Sequence, residues 1–178
     1  MPEPAQPLAV LFDRDGTLVI DVPYNGDPAL VQPMPGALEA VAAVRAAGLP
    51  IGVVSNQSGI ARGIVTREQV DAVNARVDEL FGGFDTWQIC PHGPEDGCDC
   101  RKPAPGMVLR AAAALGVDPA RTVVIGDIAA DVGAAHAAGG RAVLVPTPIT
   151  RQEEVADAPA VAADLAEAVR IALAGDAG

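Results

Sequence analysis

The sequence predicts an α/β protein built on a doubly wound, five-stranded parallel sheet with helices on both faces. Three observations predict it. Short apolar runs of strand length alternate with helix-length stretches along the whole chain. The runs are nearly continuous in apolar residues, as strands buried on both faces are. Polar clusters follow the strands directly, and in such sheets ligands bind beyond the carboxyl ends of the strands. The 178 residues suit one domain, expected over 1–178.

Leu8–Phe12 is the first apolar run, followed by a Pro/Gly-rich loop over 13–35. Pro35-Gly36 opens a helix to about Ala47, closed by Gly48. Ile51–Val54 is the second strand and 55–65 a loop. Thr66 with Gln69 three residues on is a capping box, starting a helix to about Leu80 that Gly82-Gly83 ends. Thr86–Ile89 is the third strand, and 90–104 a Cys/Gly/Pro loop. A helix over Gly106–Leu115 stops at Gly116, which suits the left-handed C′ position. Thr122–Ile125 is the fourth strand, Asp131–Ala138 a helix, and Ala142–Val145 the fifth strand. After a loop, an Ala-rich helix spans about Ala160–Ala174. The first seven and last four residues read as loose tails. Strand one is expected at the centre, between strands two and four.

Composition excludes several classes. The net charge of −11 argues against nucleic acid, which calls for a basic face, and five aromatics leave little for base stacking. No apolar run reaches the roughly 18 residues of a membrane helix. The N-terminus has neither the basic start nor the apolar stretch of a signal peptide. The expectation is a cytoplasmic monomer acting on a small molecule.

The chemistry lies at the strand ends. After strand one comes Asp13-Arg14-Asp15-Gly16-Thr17. Of two carboxylates two apart, one can attack phosphorus. The other can protonate a leaving group and then deprotonate water. After strand two comes Ser55-Asn56-Gln57-Ser58-Gly59, whose hydroxyl and amides can hold phosphoryl oxygens. Lys102 is the one lysine among twelve basic residues. A compact ammonium kept where arginine is otherwise used suggests a point charge for a transferring phosphoryl group. After strand four, Asp127 can share a hard divalent ion such as Mg²⁺ with Asp13. Asp131, one turn on, can support the site, cap its helix, or do both. A serine-hydrolase reading fails, since only His136 remains once His92 joins the cysteines.

All three cysteines, Cys90, Cys98 and Cys100, fall within eleven residues together with His92. Three thiols and an imidazole make the tetrahedral set that structural zinc prefers, giving a zinc-binding loop at 90–102.

In order, Asp13-x-Asp15-Gly16-Thr17, Ser55, Lys102 and Gly126-Asp127-x-x-x-Asp131 resemble the four motifs of the haloacid dehalogenase (HAD) phosphatases, over about Leu8–Val145. The stretch Ser55–Gly63 and the loop ending Cys100-Arg101-Lys102-Pro103 are similar to one branch, holding the heptose 1,7-bisphosphate phosphatases and the histidinol-phosphate phosphatase domain. The resemblance implies a HAD-like Rossmannoid fold without a large cap domain, and hydrolysis of a phosphomonoester through an aspartyl-phosphate. It implies Asp13 as nucleophile and Asp15 as general acid/base. Asp13, the backbone carbonyl of Asp15 and Asp127 would hold Mg²⁺, while Ser55 and Lys102 steady the phosphoryl group. Asp21, Tyr24, Asn56, Gln57, Ser58 and Arg101 match substrate-contacting positions, and zinc would be structural. The implied substrate is a sugar bisphosphate such as D-glycero-D-manno-heptose 1,7-bisphosphate, with histidinol phosphate or another small metabolite as the alternative. Departures from the heptose branch are Ile128, where a basic residue is usual, and the short His92–Cys98 spacer. A signalling receiver domain, also doubly wound, is phosphorylated after its third strand, whereas the acidic pair here follows the first.

Overall fold

The computed structural model describes residues 9–175. Leu8 and the expected tails lie outside the described residues, apart from Gly175. Five parallel strands form one sheet in the order β3-β2-β1-β4-β5: β1 (Ala9–Phe12), β2 (Ile51–Asn56), β3 (Thr86–Cys90), β4 (Thr122–Gly126) and β5 (Arg141–Leu144). Strand one is central, as expected. Among the described residues, six α-helices connect and flank them: α1 (Ala37–Ala46), α2 (Arg67–Phe81), α3 (Gly106–Leu115), α4 (Ala129–Ala137), α5 (Gln152–Asp157) and α6 (Leu165–Ala174).

The period-two alternation of the strands sorts side chains onto two faces. Val10 and Phe12 of β1 join Ile51, Val53, Val123, Ile125 and Val143 in a core covered by Val41 and Val44 of α1, Val77 and Phe81 of α2, and Leu165, Ala168 and Val169 of α6. Leu11 faces the other way, with Val54, Val124 and Ala142, under Met107, Val108 and Ala111 of α3 and Ala134 and Ala135 of α4. All strand residues of β1 and β4 are buried, which accounts for their unbroken apolar runs.

The Thr66 capping box is present: Gln69 N donates to Thr66 Oγ1 at 3.1 Å, and Thr66 N donates to Gln69 Oε1 at 2.9 Å. The last helix departs from expectation. It begins at Leu165, not near Ala160, because Asp164 caps it by accepting from Glu167 N at 2.8 Å. The preceding residues are extended and pair with the sheet instead: Leu144 N donates to Ala160 O and Ala162 N donates to Leu144 O. Alanine's helix propensity gives way here to backbone hydrogen bonds at a sheet edge. Within the expected loop after strand five, α5 forms a short helix. Helix α4 starts at Ala129, two residues before the expected Asp131.

Register sets the site. Phe12 pairs with Val53 and with Ile125, Asn56 with Cys90, and Gly126 with Leu144, so the strand ends lie side by side. The residues that follow them, from Asp13 to Asp127 and the Cys/His loop, emerge along one edge of the sheet.

Candidate active site

The ladder between β1 and β4 runs one bond past the strand end, with Asp13 N donating to Ile125 O at 2.9 Å. This fixes Asp13 beside Asp127. Ligand oxygens of Asp13, Asp127 and Asp131 all lie within 4.8 Å of one another, and the three residues are buried. Gly16 is needed for this approach. Its φ is +79°, and a Cβ there would stand 2.5 Å from Asp127 Oδ2.

Lys102, 4% exposed, points into this cluster. Its ammonium donates to Asp13 Oδ1 at 2.9 Å, Asp131 Oδ1 at 2.6 Å and the Val54 carbonyl at 2.9 Å. Asp131 has a second task. Its Oδ2 accepts from Asp127 N at 3.1 Å and Ile128 N at 3.2 Å, closing the N-terminus of α4. Asp131 therefore caps its helix and bonds the Lys102 ammonium at the same time.

The charges are unbalanced. Burial first, then the Asp131 carboxylate, pushes Asp13 well above the usual carboxylate range; Lys102 opposes this and Asp127 adds to it. Burial pushes Asp127 up to about 6, with Asp131 adding to the rise and Asp13 and Lys102 opposing it. For Lys102 burial favours the neutral form, but Asp13 and Asp131 outweigh it and hold the ammonium above the usual lysine range. Buried carboxylates in excess of their one ammonium, converging within ligand distance, fit a hard divalent cation.

Ser55, in β2, is buried; its Oγ accepts from Gln57 Nε2 at 2.8 Å. Gln57 Nε2 also reaches Asp15 Oδ2 at 2.9 Å. Asp15 lines a cavity of about 280 Å³ with Asp21, Tyr24, Asn56, Gln57 and Ser58. Burial, with the nearby Asp15 charge, raises Asp21. Tyr24 adopts a left-handed φ of 53°, and its ring closes over Gly59, where a Cβ would meet Tyr24 Cδ1 at 2.7 Å. The Arg62 guanidinium lies 6.0 Å from the centre of that ring.

Two expected contact residues carry bonds to the Cys/His loop as well. Arg101 lines a neighbouring depression with Cys98 and Lys102, and its Nη1 donates to the His92 carbonyl at 3.4 Å. The Asn56 side chain is committed to the Lys102 backbone: Oδ1 accepts from Lys102 N at 3.0 Å and Nδ2 donates to Lys102 O at 3.3 Å. Asn56 thereby holds the residue that carries the ammonium.

The Cys/His quartet converges as expected, with its four ligand atoms within 4.8 Å of one another. Cys90 Sγ lies 3.7 Å from Cys98 Sγ and 3.6 Å from His92 Nδ1. These are near the ~3.8 Å separation of donors on a tetrahedral zinc. Cys100 Sγ is closer, 2.8 Å from Cys90 Sγ and 3.2 Å from His92 Nδ1. All three cysteines are free thiols.

Sequence reasoning missed two residues. Arg14 is among the largest fully buried side chains, at 1% exposure. It grips Asp15 with two parallel bonds, Nε to Oδ1 and Nη2 to Oδ2, each 3.0 Å. Its Nη1 donates to Asn74 Oδ1 of α2 at 2.7 Å. The available signal was Asn74 itself, a polar residue in the apolar stripe Val70, Val73, Val77, Phe81.

Because Asp127 is raised in the metal-free fold, its contribution to stability is fully present below its ordinary range near 3.9 and is lost as pH rises through about 6. A cation that binds the ionised carboxylates reverses that loss. Millimolar Mg²⁺ is therefore expected to raise the melting temperature more at about pH 7.5 than at about pH 5. Thermal unfolding with and without Mg²⁺ checks this, and equal rises at both pH values would contradict it.

Comparison with known proteins agrees with this arrangement. The HAD-hydrolase-like family model matches residues 99–169. A D-glycero-beta-D-manno-heptose-1,7-bisphosphate 7-phosphatase of Vibrio cholerae is 42% identical over 160 residues, covering 82% of this chain and 86% of that one. Its counterpart from Pseudomonas aeruginosa is 40% identical over 143 residues, covering 78% and 80%. The crystal structure of the D,D-heptose 1,7-bisphosphate phosphatase from B. bronchiseptica, complexed with magnesium and phosphate, superposes with a TM-score of 0.80. It is 32% identical and covers 91% of this chain and 96% of that one. With the four strand-end motifs converging as described, the chain belongs to the HAD superfamily of hydrolases, in the branch of the heptose-bisphosphate phosphatases, and is a phosphatase.

Proposed function

We propose that the protein removes the 7-phosphate of D-glycero-beta-D-manno-heptose 1,7-bisphosphate, the reaction for which its relatives at about 40% identity are named. The observation that carries the chemistry is the Lys102 ammonium bridging Asp13 and Asp131 beside an acid two residues on, Asp15. Histidinol phosphate, the alternative substrate the sequence left open, is not favoured: the relatives compared carry the heptose name. We further infer that the enzyme acts as a cytoplasmic monomer and folds as one hydrolase unit.

Asp13 attacks phosphorus. The bond from phosphorus to the ester oxygen breaks, and that oxygen leaves with a proton from Asp15. Asp15 then takes a proton from water, whose oxygen attacks the aspartyl-phosphate, releasing phosphate and restoring Asp13. Ser55 Oγ accepts one bond from Gln57, and its own hydroxyl proton is directed to a phosphoryl oxygen. Lys102 neutralises Asp13 and lies where charge develops on the phosphoryl group. Mg²⁺, held by Asp13, Asp127 and the Asp15 carbonyl, would supply charge neutralisation for the phosphoryl oxygens. Asp21, Tyr24 and Ser58 border the space for the sugar, with Arg101 at the adjoining depression. Zinc on Cys90, His92, Cys98 and Cys100 would fix the loop that delivers Arg101 and Lys102.

Phosphate release from heptose bisphosphate and histidinol phosphate, side by side, tests the substrate; turnover of histidinol phosphate alone would overturn it. Asp13→Asn is expected to abolish turnover in a folded protein, and a near-normal kcat would exclude Asp13 as nucleophile. Lys102→Arg keeps the charge, but a planar guanidinium cannot aim three bonds at the acceptors an ammonium meets. The expected loss is about tenfold or more in kcat/KM. Metal analysis should find about one zinc per chain, lost in Cys98→Ser. That variant should lose activity, by up to about 10²-fold, more than global stability, because the larger core cluster contains no residue of the loop. Zinc-free protein purified under reducing, chelator-free conditions would defeat the assignment.

A further inference from the structure

Arg14 is a charged side chain placed where charge is costly, and its bonding accounts for why it is there. Burying an unpaired guanidinium would cost several kcal/mol, roughly, so its partners must be essential to it. Three of its five N–H groups are directed at two residues: two at the Asp15 carboxylate and one at Asn74. Asn74 is itself buried on the core face of α2, between Val70 and Val77. A hydrophobic residue would pack that position without leaving an amide to satisfy.

The bonding leaves the two Asp15 oxygens unequal. Oδ2 accepts from Arg14 Nη2 and from Gln57 Nε2, which uses both of its lone pairs. Oδ1 accepts from Arg14 Nε alone, which leaves one lone pair open. The carboxylate borders the cavity shared with Asp21 and Tyr24.

We propose that Arg14 and Asn74 are positioning residues for the acid–base step. Asn74 fixes the guanidinium, and the guanidinium holds the Asp15 carboxylate so that Oδ1 is the atom that passes a proton to the leaving oxygen. The link joins helix α2, a core element, to the acid–base group. It rests on the reading of Asp15 as general acid/base given above. A two-bond Arg–carboxylate pair fixes the plane as well as the position of the group, which a lysine could not do.

Leaving groups of different basicity separate positioning from packing. The full-length enzyme with Mg²⁺ is assayed on heptose bisphosphate, whose alkoxide must be protonated to leave, and on p-nitrophenyl phosphate, whose phenolate leaves unaided. The value of kcat/KM reports the steps through leaving-group departure. In Asn74→Leu the ratio of kcat/KM, heptose bisphosphate over p-nitrophenyl phosphate, is expected to fall about tenfold or more, since general-acid catalysis is worth roughly 10²–10⁴. Asn74→Asp, which restores an acceptor for Nη1, should return the ratio to within about threefold of wild type. If Asn74→Leu does not fold, Asn74→Ala carries the same expectation. A wild-type ratio in the folded variant, or equal losses on both substrates, would overturn the proposal. Asp15→Asn distinguishes the two levels. If it loses the ratio while Asn74→Leu keeps it, the positioning role alone fails. If Asp15→Asn itself keeps the ratio, the acid–base reading fails and the positioning role with it.

Discussion

Lys102 Nζ has three protons and three acceptors, and the acceptors come from three separate pieces of chain: Val54 in β2, Asp13 after β1, and Asp131 in α4. Each acceptor would be in difficulty without it. Asp13 and Asp131 are buried carboxylates, and leaving such a charge unpaired typically costs about 3–5 kcal/mol. Val54 is the residue before Ser55, so the ammonium also fixes the C-terminal half of β2. Asp131 in turn satisfies the first amides of α4, including that of Asp127. One ammonium thus ties Asp13, the Asp127 backbone and a helix start into a single geometry. Because an ammonium is a compact point with tetrahedral donors, this junction explains the single lysine in a chain that otherwise uses arginine.

The loop that carries Lys102 cannot rely on a strand to hold it, since residues 91–105 lie between β3 and α3. It is anchored from two sides instead. Asn56 pairs its side-chain amide with both backbone groups of Lys102. The Cys/His quartet gathers the other end, and the register of Asn56 with Cys90 puts both anchors at adjacent strand ends. The quartet and the carboxylates form two separate groups, joined along the chain by Cys100, Arg101 and Lys102. Arg101 bonded back to the His92 carbonyl belongs to the same closure.

The sheet and its order were legible in the sequence because strands buried on both faces write unbroken apolar runs, and the motifs sat directly after them. The approach of Asp127 to Asp13 and the gathering of the Cys/His quartet were legible because acids directly after strands, and thiols crowded into eleven residues, stand out in a sequence. Other features were not. The start of α6 depends on Ala160 and Ala162 bonding to Leu144, a long-range pairing that alanine content cannot signal. The bond from Lys102 to Asn56 spans 46 residues, and nothing in the sequence near either residue signals it. Arg14 was hidden between two acids of evident interest. Its partner Asn74 is 60 residues away, marked only by polarity within an apolar stripe.

Charge would make a divalent cation and a phosphate ester at this site depend on each other. Asp13, Asp15, Asp21, Asp127 and Asp131 stand close to the reaction centre. The cations Lys102 and Arg14 are already engaged with Asp13, Asp131 and Asp15. Half-buried Arg101 stands at the edge and directs a donor at a carbonyl. In a protein of net charge −11, a phosphate ester approaching the metal-free site meets a negative field. A divalent cation on the carboxylates reverses the local sign, so metal binding must strengthen binding of the phosphate. By thermodynamic reciprocity, the phosphate must strengthen binding of the metal by the same factor. Lys102 alone cannot play that part, because its charge is consumed in holding the carboxylates together. The arrangement that keeps the acids buried and ordered is therefore the one that leaves the site short of positive charge for a phosphate.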